Sequence, residues 1–515
     1  MRRTPIVELT VGEVVVGGAG VAGSSAARHL LAADVPVVVA DTRFADAQDA
    51  GVPVAAELRA AGARCVGIDE LLADPGWTDR TGLVVVSPGF APTHQLVVAA
   101  AAAGVPVWGE VELAWRIDRA GWFGTPRTWL VVTGTNGKTT TTSMLESIVS
   151  ADGRVAAACG NIGLPVLDAL ATEPRAEVLC AELSSFQLHW APSIVPDAGV
   201  VLNVAEDHLD WHGSFGAYRD AKATALHGRV GVVGLDDAVA SGIETGTATR
   251  RVGFTLAAPD AGQLGVDDGV LVDRAFGAGR LIPAAQVRPA GPSGCSDALA
   301  AAALALAVGV APLSVTAGLT DFTPAAHRGE VVETIDGIDF VDDSKATNPH
   351  AARAAIAAHD RVVLIAGGLL KGASVDDLFV EMRDRLAGAV AIGTDRDVII
   401  DSIARHAPDV PAVTVFTGDD GAVNVQRFVA GVPVAENPGP AGAESPADLV
   451  MRHAVRQAWR LAVEANSAPG SEPVEAVLLA PAAASLDMFA GYGRRGDSFA
   501  VAARGLRGTD VSASR

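Results

Sequence analysis

The sequence predicts an α/β protein built from three open, largely parallel sheets covered by helices. Three observations carry that expectation. A chain of 515 residues is too long for one hydrophobic core, and division into three domains is the natural reading. Short Val-rich runs, such as EVVVG (13–17), GLVVV (82–86) and TWLVVTG (128–134), alternate with stretches of helical length, as in parallel strands buried on both faces. Two strand-to-helix junctions are glycine loops, and RVVLIAGGLLKG (361–372) repeats the design.

Composition narrows the functional classes. With 49 % hydrophobic and 19 % charged residues the chain can bury large cores. Its 39 Lys and Arg against 60 Asp and Glu give a net charge of −21, a field that repels a phosphate backbone, so nucleic acid is not an expected partner. Anionic small molecules must then be held by helix N-termini, loop amides and a few placed cations. Cys65, Cys159, Cys180 and Cys295 form no Cys-x-x-Cys pair, which suits a reduced, cytoplasmic protein. Arg2 and Arg3 are followed by Glu8 and Glu13, which interrupt any signal-peptide core. The uncharged stretch between Asp297 and Asp321 is mostly Ala with Gly309 and Pro312 inside, so it predicts a buried helix and a second short one, not a membrane span.

The elements follow in order. Residues 1–109 hold a strand, the loop Gly18-Ala19-Gly20-Val21-Ala22-Gly23, a helix, a second strand ending at Asp41, the strand leading to Ser87-Pro88-Gly89, and a last strand ending at Gly109. After a helix, Asp118 to Thr128 (DRAGWFGTPRT) reads as a connector. Residues 110–325 form the second domain, with TWLVVTG, EVLCAELSSFQL and DAGVVLNVAEDHLDWHG as its strands and turns and an Ala-rich helix near 298–308 closing it. Residues 326–515 form the third, in which GVPVAENPGPAGAESPADL and EANSAPGSEPVEA read as surface loops. The fold class is thus α/β in three domains: Rossmann-like, then a central P-loop-type mononucleotide-binding sheet, then Rossmann-like again.

The first glycine loop is a complete G-x-G-x-x-G with Asp41 about 20 residues on, the pattern that lays a diphosphate on a helix N-terminus. An NAD-dependent oxidoreductase and a purely structural turn are its competing readings. The second loop, Gly134-Thr135-Asn136-Gly137-Lys138-Thr139-Thr140, is shorter than the usual P-loop, yet it offers amides, a cation for β/γ phosphate and a hydroxyl for Mg²⁺.

TGTNGKTT, GNIG, AELSSFQL, NVAEDHLDWHG, YRDAK, HRGE, DSKATN, KG and PAAASLDMF occur here in an order that resembles one family across nearly the whole chain, the Mur ligases, ATP-dependent amide ligases of cell-wall precursor synthesis. Within it, Asp41-Thr42-Arg43, Ser87-Pro88-Gly89, Asp343 to Asn348, Lys371-Gly372 and Ser485-Leu486-Asp487 point to addition of D-glutamate to UDP-N-acetylmuramoyl-L-alanine. A Mur-type ligase for another amino acid, or a folylpolyglutamate-type ligase, is the nearest alternative.

The resemblance implies a set of roles. Gly18, Gly20, Val21, Ala22, Gly23, Asp41, Thr42, Arg43 and Gly89 would grip the UDP moiety, with Asn161 and His208 beside the rest of that substrate. Gly134 to Thr140, Arg328 and Asp343 would hold ATP. Lys138, Glu182, His208 and Lys222 would be catalytic, and two Mg²⁺ sites, open also to Mn²⁺, would use Thr139, Glu182, His208 and a carbamylated Lys222. Lys345, Thr347, Lys371, Ser485, Leu486 and Tyr492 would take D-glutamate, since lysines with hydroxyl partners suit a dicarboxylate. The partners implied are small molecules alone, and a monomer is expected. Plainer readings exist: Glu182 as a strand-end charge, Lys222 as a helix lysine with a solvated head, His327-Arg328 as a boundary salt bridge, Leu486 as core. At Ser293 to Asp297 the chain lacks the His-Asn pair common in the family, and no adenine contact is assigned there.

Overall fold

The computed structural model describes residues 12–44, 53–246, 250–418, 422–429, 432–436 and 445–506, and the expectation about a signal peptide, read from Arg2, Arg3, Glu8 and Glu13, falls mostly outside them. The chain forms two compact units, Met1–Ala284 with Ser296–Phe322, and Ala285–Cys295 with Thr323–Arg515.

The first unit holds two sheets. Five parallel strands run in the order Arg64–Val66, Val37–Ala40, Glu13–Gly17, Thr81–Val86, Val107–Gly109. In the three inner strands Val14–Val16, Val37–Val39 and Leu83–Val86 are buried on both faces, which is why the text does not alternate. The nine-stranded sheet is ordered Gly279–Pro283, Val270–Asp273, Gln263–Asp267, Arg250–Phe254, Val230–Gly234, Ala198–Val201, Thr128–Thr133, Val178–Glu182, Ala156–Gly160. It is parallel except for the last two strands to be added, Val270–Asp273 and Gly279–Pro283, which fold back antiparallel. One hydrophobic cluster runs from Val14 and Leu30 through Leu113 and Ile117 to Trp129, Leu179 and Leu188, so the two sheets share a core.

The reading of Asp118–Thr128 as a simple connector needs correction at its ends. Asp118 is fully buried and accepts from Trp129 Nε1 at 2.9 Å and from the Arg127 amide at 3.0 Å, while Arg127 Nη2 donates to the Leu170 carbonyl at 2.7 Å. The ion pair is tolerated there because both groups are otherwise hydrogen-bonded. Helix Pro292–Ala307, followed by Pro312–Asp321, matches the expected pair of uncharged helices; Ala298 to Ala305 are fully buried. Among the described residues no helix is long and apolar enough to cross a membrane.

The second unit contains an eight-stranded sheet, Glu330–Ile335, Ile338–Asp342, Ala476–Leu479, Val362–Gly367, Leu386–Ile392, Ala412–Thr417, Val423–Val429, Val432–Glu436, parallel at its centre and antiparallel at both edges. Phe340, Val363 and Val477 face one core, and Val341, Leu364 and Leu478 face another. The two loop assignments need correction in part. Val432–Glu436 is a strand, and helix Pro446–Ser467 begins in the first of these stretches and ends in the second, of which 468–475 is a loop as expected. Ser445 caps that helix by accepting from the Asp448 amide at 3.2 Å, and Pro446 sits where its missing N–H costs nothing, so this text is a helix start.

Candidate active site

In each sheet the sequence-singled loops leave the C-terminal ends of central strands, where open α/β sheets bind ligands. In the first sheet Glu13–Gly17 and Thr81–Val86 are neighbours from which the chain winds in opposite directions, and their loops touch: the Ser87 amide donates to Gly17 O at 2.9 Å, and Ser87 Oγ to Gly18 O at 3.2 Å. Gly18 has φ +89°, and a methyl group on Gly23 would collide with the Gly18 carbonyl, so both glycines are required by the turn. Asp41 accepts from the Ala19 amide at 2.7 Å and from Arg43 Nε and Nη2 at 2.9 and 2.8 Å. Burial would raise its pKa, but the Arg43 fork and the Ala19 amide outweigh it and hold the carboxyl down at about 2. Val21, 74 % exposed, and Gly89 are both open to solvent.

In the central sheet the loop after Thr128–Thr133 turns at Gly137, φ +83°, into helix Lys138–Ala151. A methyl group on Gly137 would collide with the Asp297 carboxylate, which also accepts from Thr141 Oγ1 at 3.1 Å. Asn203 Oδ1 fixes the loop by accepting from the amides of Thr135 and Asn136 at 3.1 and 2.8 Å. Lys138 Nζ donates to Gly134 O at 3.0 Å and Thr135 O at 2.9 Å. Lys222 Nζ donates to the same Gly134 O at 2.7 Å and lies 4.5 Å from the Tyr218 ring centroid. Lys222 is 2 % exposed, which removes the reading of a solvated helix lysine. Burial, then the charge of Lys138, drives its pKa well below the ordinary value.

Glu182 ends strand Val178–Glu182, is 1 % exposed, and accepts from Asn161 Nδ2 at 2.7 Å through Oε1. Its Oε2 is buried with no hydrogen-bond partner, which an ordinary strand-end charge would not be. His208, in the left-handed region at φ 53°, packs its ring 4.6 Å from Phe186. Among the described residues no three His, Cys, Asp or Glu side chains stand together as a ready metal site. The orphaned Glu182 oxygen fits a hard cation, and Thr139 is the second residue of the helix beside the loop. Lys222 fits such an ion only after its amine has been converted to an anion.

In the second unit three neighbouring strands deliver the remaining candidates. His327 Nδ1 is 2.7 Å from Asp342 Oδ2, so its partner is a strand-end aspartate in its own unit. Burial pushes Asp343 up to about 7, with Arg328 pulling the other way. Lys345 Nζ sits 3.9 Å over the Tyr492 ring. The loops bearing Lys371 and Ser485 are tied by two backbone hydrogen bonds between Leu369 and Ala484, of 2.8 and 2.9 Å. Lys371 is exposed at φ 54°, Ser485 is buried, and Thr347 donates its amide to Lys345 O at 2.8 Å. Leu486 is 67 % exposed, which overturns its reading as core.

Arg495, missed by the sequence reading, organises this edge. It is 1 % exposed and donates Nε to Ser344 Oγ at 3.0 Å, Nη2 to Ser344 O at 2.9 Å and Nη1 to Ala483 O at 3.1 Å. Burial lowers its pKa to about 10. The signal was present: Arg495, Phe499, Ala502 and Leu506 recur at helical spacing and are all buried.

Glycine loops at the C-terminal edges of parallel-rich sheets, with two lysines converging on one of them, are the design of a nucleotide-dependent α/β enzyme. Residues 12–109 match the family described as Mur ligase MurD-like, N-terminal domain, and residues 132–259 match the Mur ligase middle domain. The UDP-N-acetylmuramoylalanine--D-glutamate ligase of Rhodococcus jostii (strain RHA1) is 55 % identical over 502 residues, 97 % of this chain and 96 % of that one. The ligase of the same name from Mycolicibacterium smegmatis is 54 % identical over 503 residues, 96 % of this chain and 97 % of its own. In fold, the chain resembles the UDP-N-acetylmuramate-alanine ligase MurC from Thermotoga maritima (TM-score 0.51, 16 % identity, 96 % of this chain and 99 % of that one). It also resembles MurF from Acinetobacter baumannii (TM-score 0.52, 17 % identity, 76 % and 79 %). The chain belongs to the Mur ligase family.

Proposed function

We propose that the chain joins D-glutamate to UDP-N-acetylmuramoyl-L-alanine at the expense of ATP, releasing ADP and phosphate, as a cytoplasmic step of peptidoglycan precursor synthesis and hence of cell growth and division. The supporting observation in the molecule is the pair Lys138 and Lys222 converging on Gly134 O at the phosphate loop. A carboxylate and a triphosphate are both anionic, and bringing them together demands placed positive charge. The competing NAD reading loses ground because the ligases of Rhodococcus jostii and Mycolicibacterium smegmatis are similar to this chain over nearly its whole length.

In this reading the carboxylate oxygen of the alanyl group attacks the γ-phosphorus and ADP leaves. The D-glutamate nitrogen then attacks the acyl carbon, phosphate departs with the former carboxylate oxygen, and the nitrogen loses its proton. Lys138 moves from its backbone carbonyls to the phosphates, and the loop amides from Gly134 to Thr140 orient them. Gly18 to Gly23, Asp41 to Arg43 and Gly89 hold the UDP moiety, with Asn161 and His208 toward its peptide end. Arg328 and Asp343 serve the nucleotide, and Lys345, Thr347, Lys371, Ser485, Leu486 and Tyr492 the amino acid. Thr139, Glu182, His208 and carbamylated Lys222 would hold Mg²⁺, in two sites, or Mn²⁺. When bound, the metal supplies neutralising charge between the two anions. Carbamylation needs a neutral amine, R–NH₂ + CO₂ → R–NH–COO⁻ + H⁺, and the buried environment of Lys222 favours that form. We take 1–109, 110–325 and 326–515 as the functional domains and the working form as a monomer.

The test is ADP release that requires both UDP-N-acetylmuramoyl-L-alanine and D-glutamate, without any nicotinamide absorbance change. Oxygen-18 in the substrate carboxylate should emerge in phosphate; ADP release with no label in phosphate would refute the acyl phosphate.

A further inference from the structure

Two indoles of the central sheet's loops hold consecutive carbonyls of the first sheet's loop. Trp190 Nε1 donates to Phe90 O at 3.0 Å, and Trp211 Nε1 donates to Gly89 O at 3.3 Å. The two tryptophans differ in setting. Trp190 is 8 % exposed and belongs to the core cluster of the first sheet; its carbonyl also accepts from the Gly109 amide at 2.8 Å. Trp211 is only half-buried and lies on the single helical turn Leu209–His212 that follows His208. That turn is bounded by left-handed residues, His208 at φ 53° and Gly213 at φ 76°.

The turn is held by rings. Phe186 lies 4.7 Å from Trp211, 4.6 Å from His208 and 5.5 Å from His212, the last nearly parallel at 18°. His212 Nε2 is 2.9 Å from Ser185 Oγ, and His189 meets the Trp211 ring edge-on at 5.2 Å. With Phe186 gripping both rings, Trp211 and His208 form one packed group, and the indole N–H ties this group to the Gly89 loop.

We propose that Trp211 is a positioning residue that registers the Gly89 loop, which holds the nucleotide end of the UDP substrate, against the His208 turn, which faces its peptide end. The inference rests on the proposed roles of Gly89 and His208. The geometry separates two contributions: ring packing, which Phe can also supply, and the N–H contact, which Phe cannot. Trp190 sets the loop's path from within the core, and Trp211 fixes its register from the solvent side.

The test uses full-length Trp211→Phe and Trp211→Leu beside wild type. Turnover by the wild type, dependent on UDP-N-acetylmuramoyl-L-alanine and D-glutamate, comes first; its absence would defeat the proposed function itself. Given turnover, Phe should raise KM for the UDP substrate about fivefold, the worth of one neutral hydrogen bond, with KM for ATP and D-glutamate within about twofold. Leu, which also loses the ring packing, should raise it by about tenfold or more. Titrating UDP-N-acetylmuramoyl-L-alanine without ATP should change the wild-type tryptophan emission, and Trp211→Phe should lose most of that change. An unchanged KM in both variants overturns the inference. So does a rise in all three KM values together with an early melting transition, because Trp211 would then be structural only.

Discussion

Lys222 and Lys138 share one acceptor: their amines lie 2.7 and 3.0 Å from the carbonyl oxygen of Gly134. Two ammonium groups on one carbonyl repel, and burial adds to that for Lys222, so the pair is poised to take up negative charge. An anionic phosphate for one lysine and a carbamate for the other would relieve it.

Lys138→Ala should abolish ADP release, with a loss of about a hundredfold or more expected for removing a charge that acts on the developing transition state. UDP-substrate binding, followed by calorimetry, should persist, because the candidate residues for its UDP moiety, Gly18 to Gly23, Asp41 to Arg43 and Gly89, lie on another sheet. Loss of both would mean that the two glycine loops serve one ligand.

Lys222→Ala should be inactive and partly restored by formate or acetate, small carboxylates that can occupy the space of a carbamate. Carbon-13 NMR of wild type in labelled bicarbonate should show a carbamate signal that the variant lacks. Full activity in the variant without added carboxylate would dismiss the modification.

The Asp41–Arg43 pair gives a pH signature. Asp41 ordinarily titrates near 3.8 and is held down at about 2 in the folded state. A depressed acid stabilises the fold above its unfolded pKa and loses that contribution as pH falls through the folded one. Urea midpoints should therefore drop more steeply between pH 4 and 2 in wild type than in Asp41→Asn. Arg43 is half exposed, so the difference should be modest. Equal slopes would show that the pair contributes nothing.

Arg495→Met should destabilise the second unit by about 3 kcal/mol, since it strips three hydrogen bonds from buried carbonyl and hydroxyl groups. KM for D-glutamate should rise more than KM for ATP. Lysine should rescue poorly, because one ammonium cannot reproduce the guanidinium fork. A Lys variant with wild-type stability would remove the fork argument.

Much of the fold was legible because doubly buried strands write themselves as Val runs and glycine loops mark where they end. The glycines at 18, 23 and 137 stand where added methyl groups would collide or where φ is positive, so their identity was a direct reading of backbone geometry. The sheet edges were less legible. Val432–Glu436 lies in Pro/Gly text, and register there is set by the neighbour Val423–Val429. Candidate site residues whose proposed roles rest on their own chemistry, such as Lys138 and Glu182, stand in motifs that can be read locally. Arg495, Trp190 and Trp211 act by holding backbone carbonyls far away in sequence, and no local pattern encodes a carbonyl's position. Lys222 is intermediate: its burial with Tyr218 follows helical spacing, while its contact to Gly134 spans 88 residues.

The core that Val14 and Leu30 share with Trp129 and Leu179 has an engineering consequence. Grafting the first 109 residues of a distant relative onto this chain would leave mismatched side chains facing each other across the seam. Such a hybrid should lose cooperative melting before it gains a new nucleotide preference. Specificity at the UDP end is therefore better altered by point changes along the Gly18 and Gly89 loops than by swapping the whole lobe.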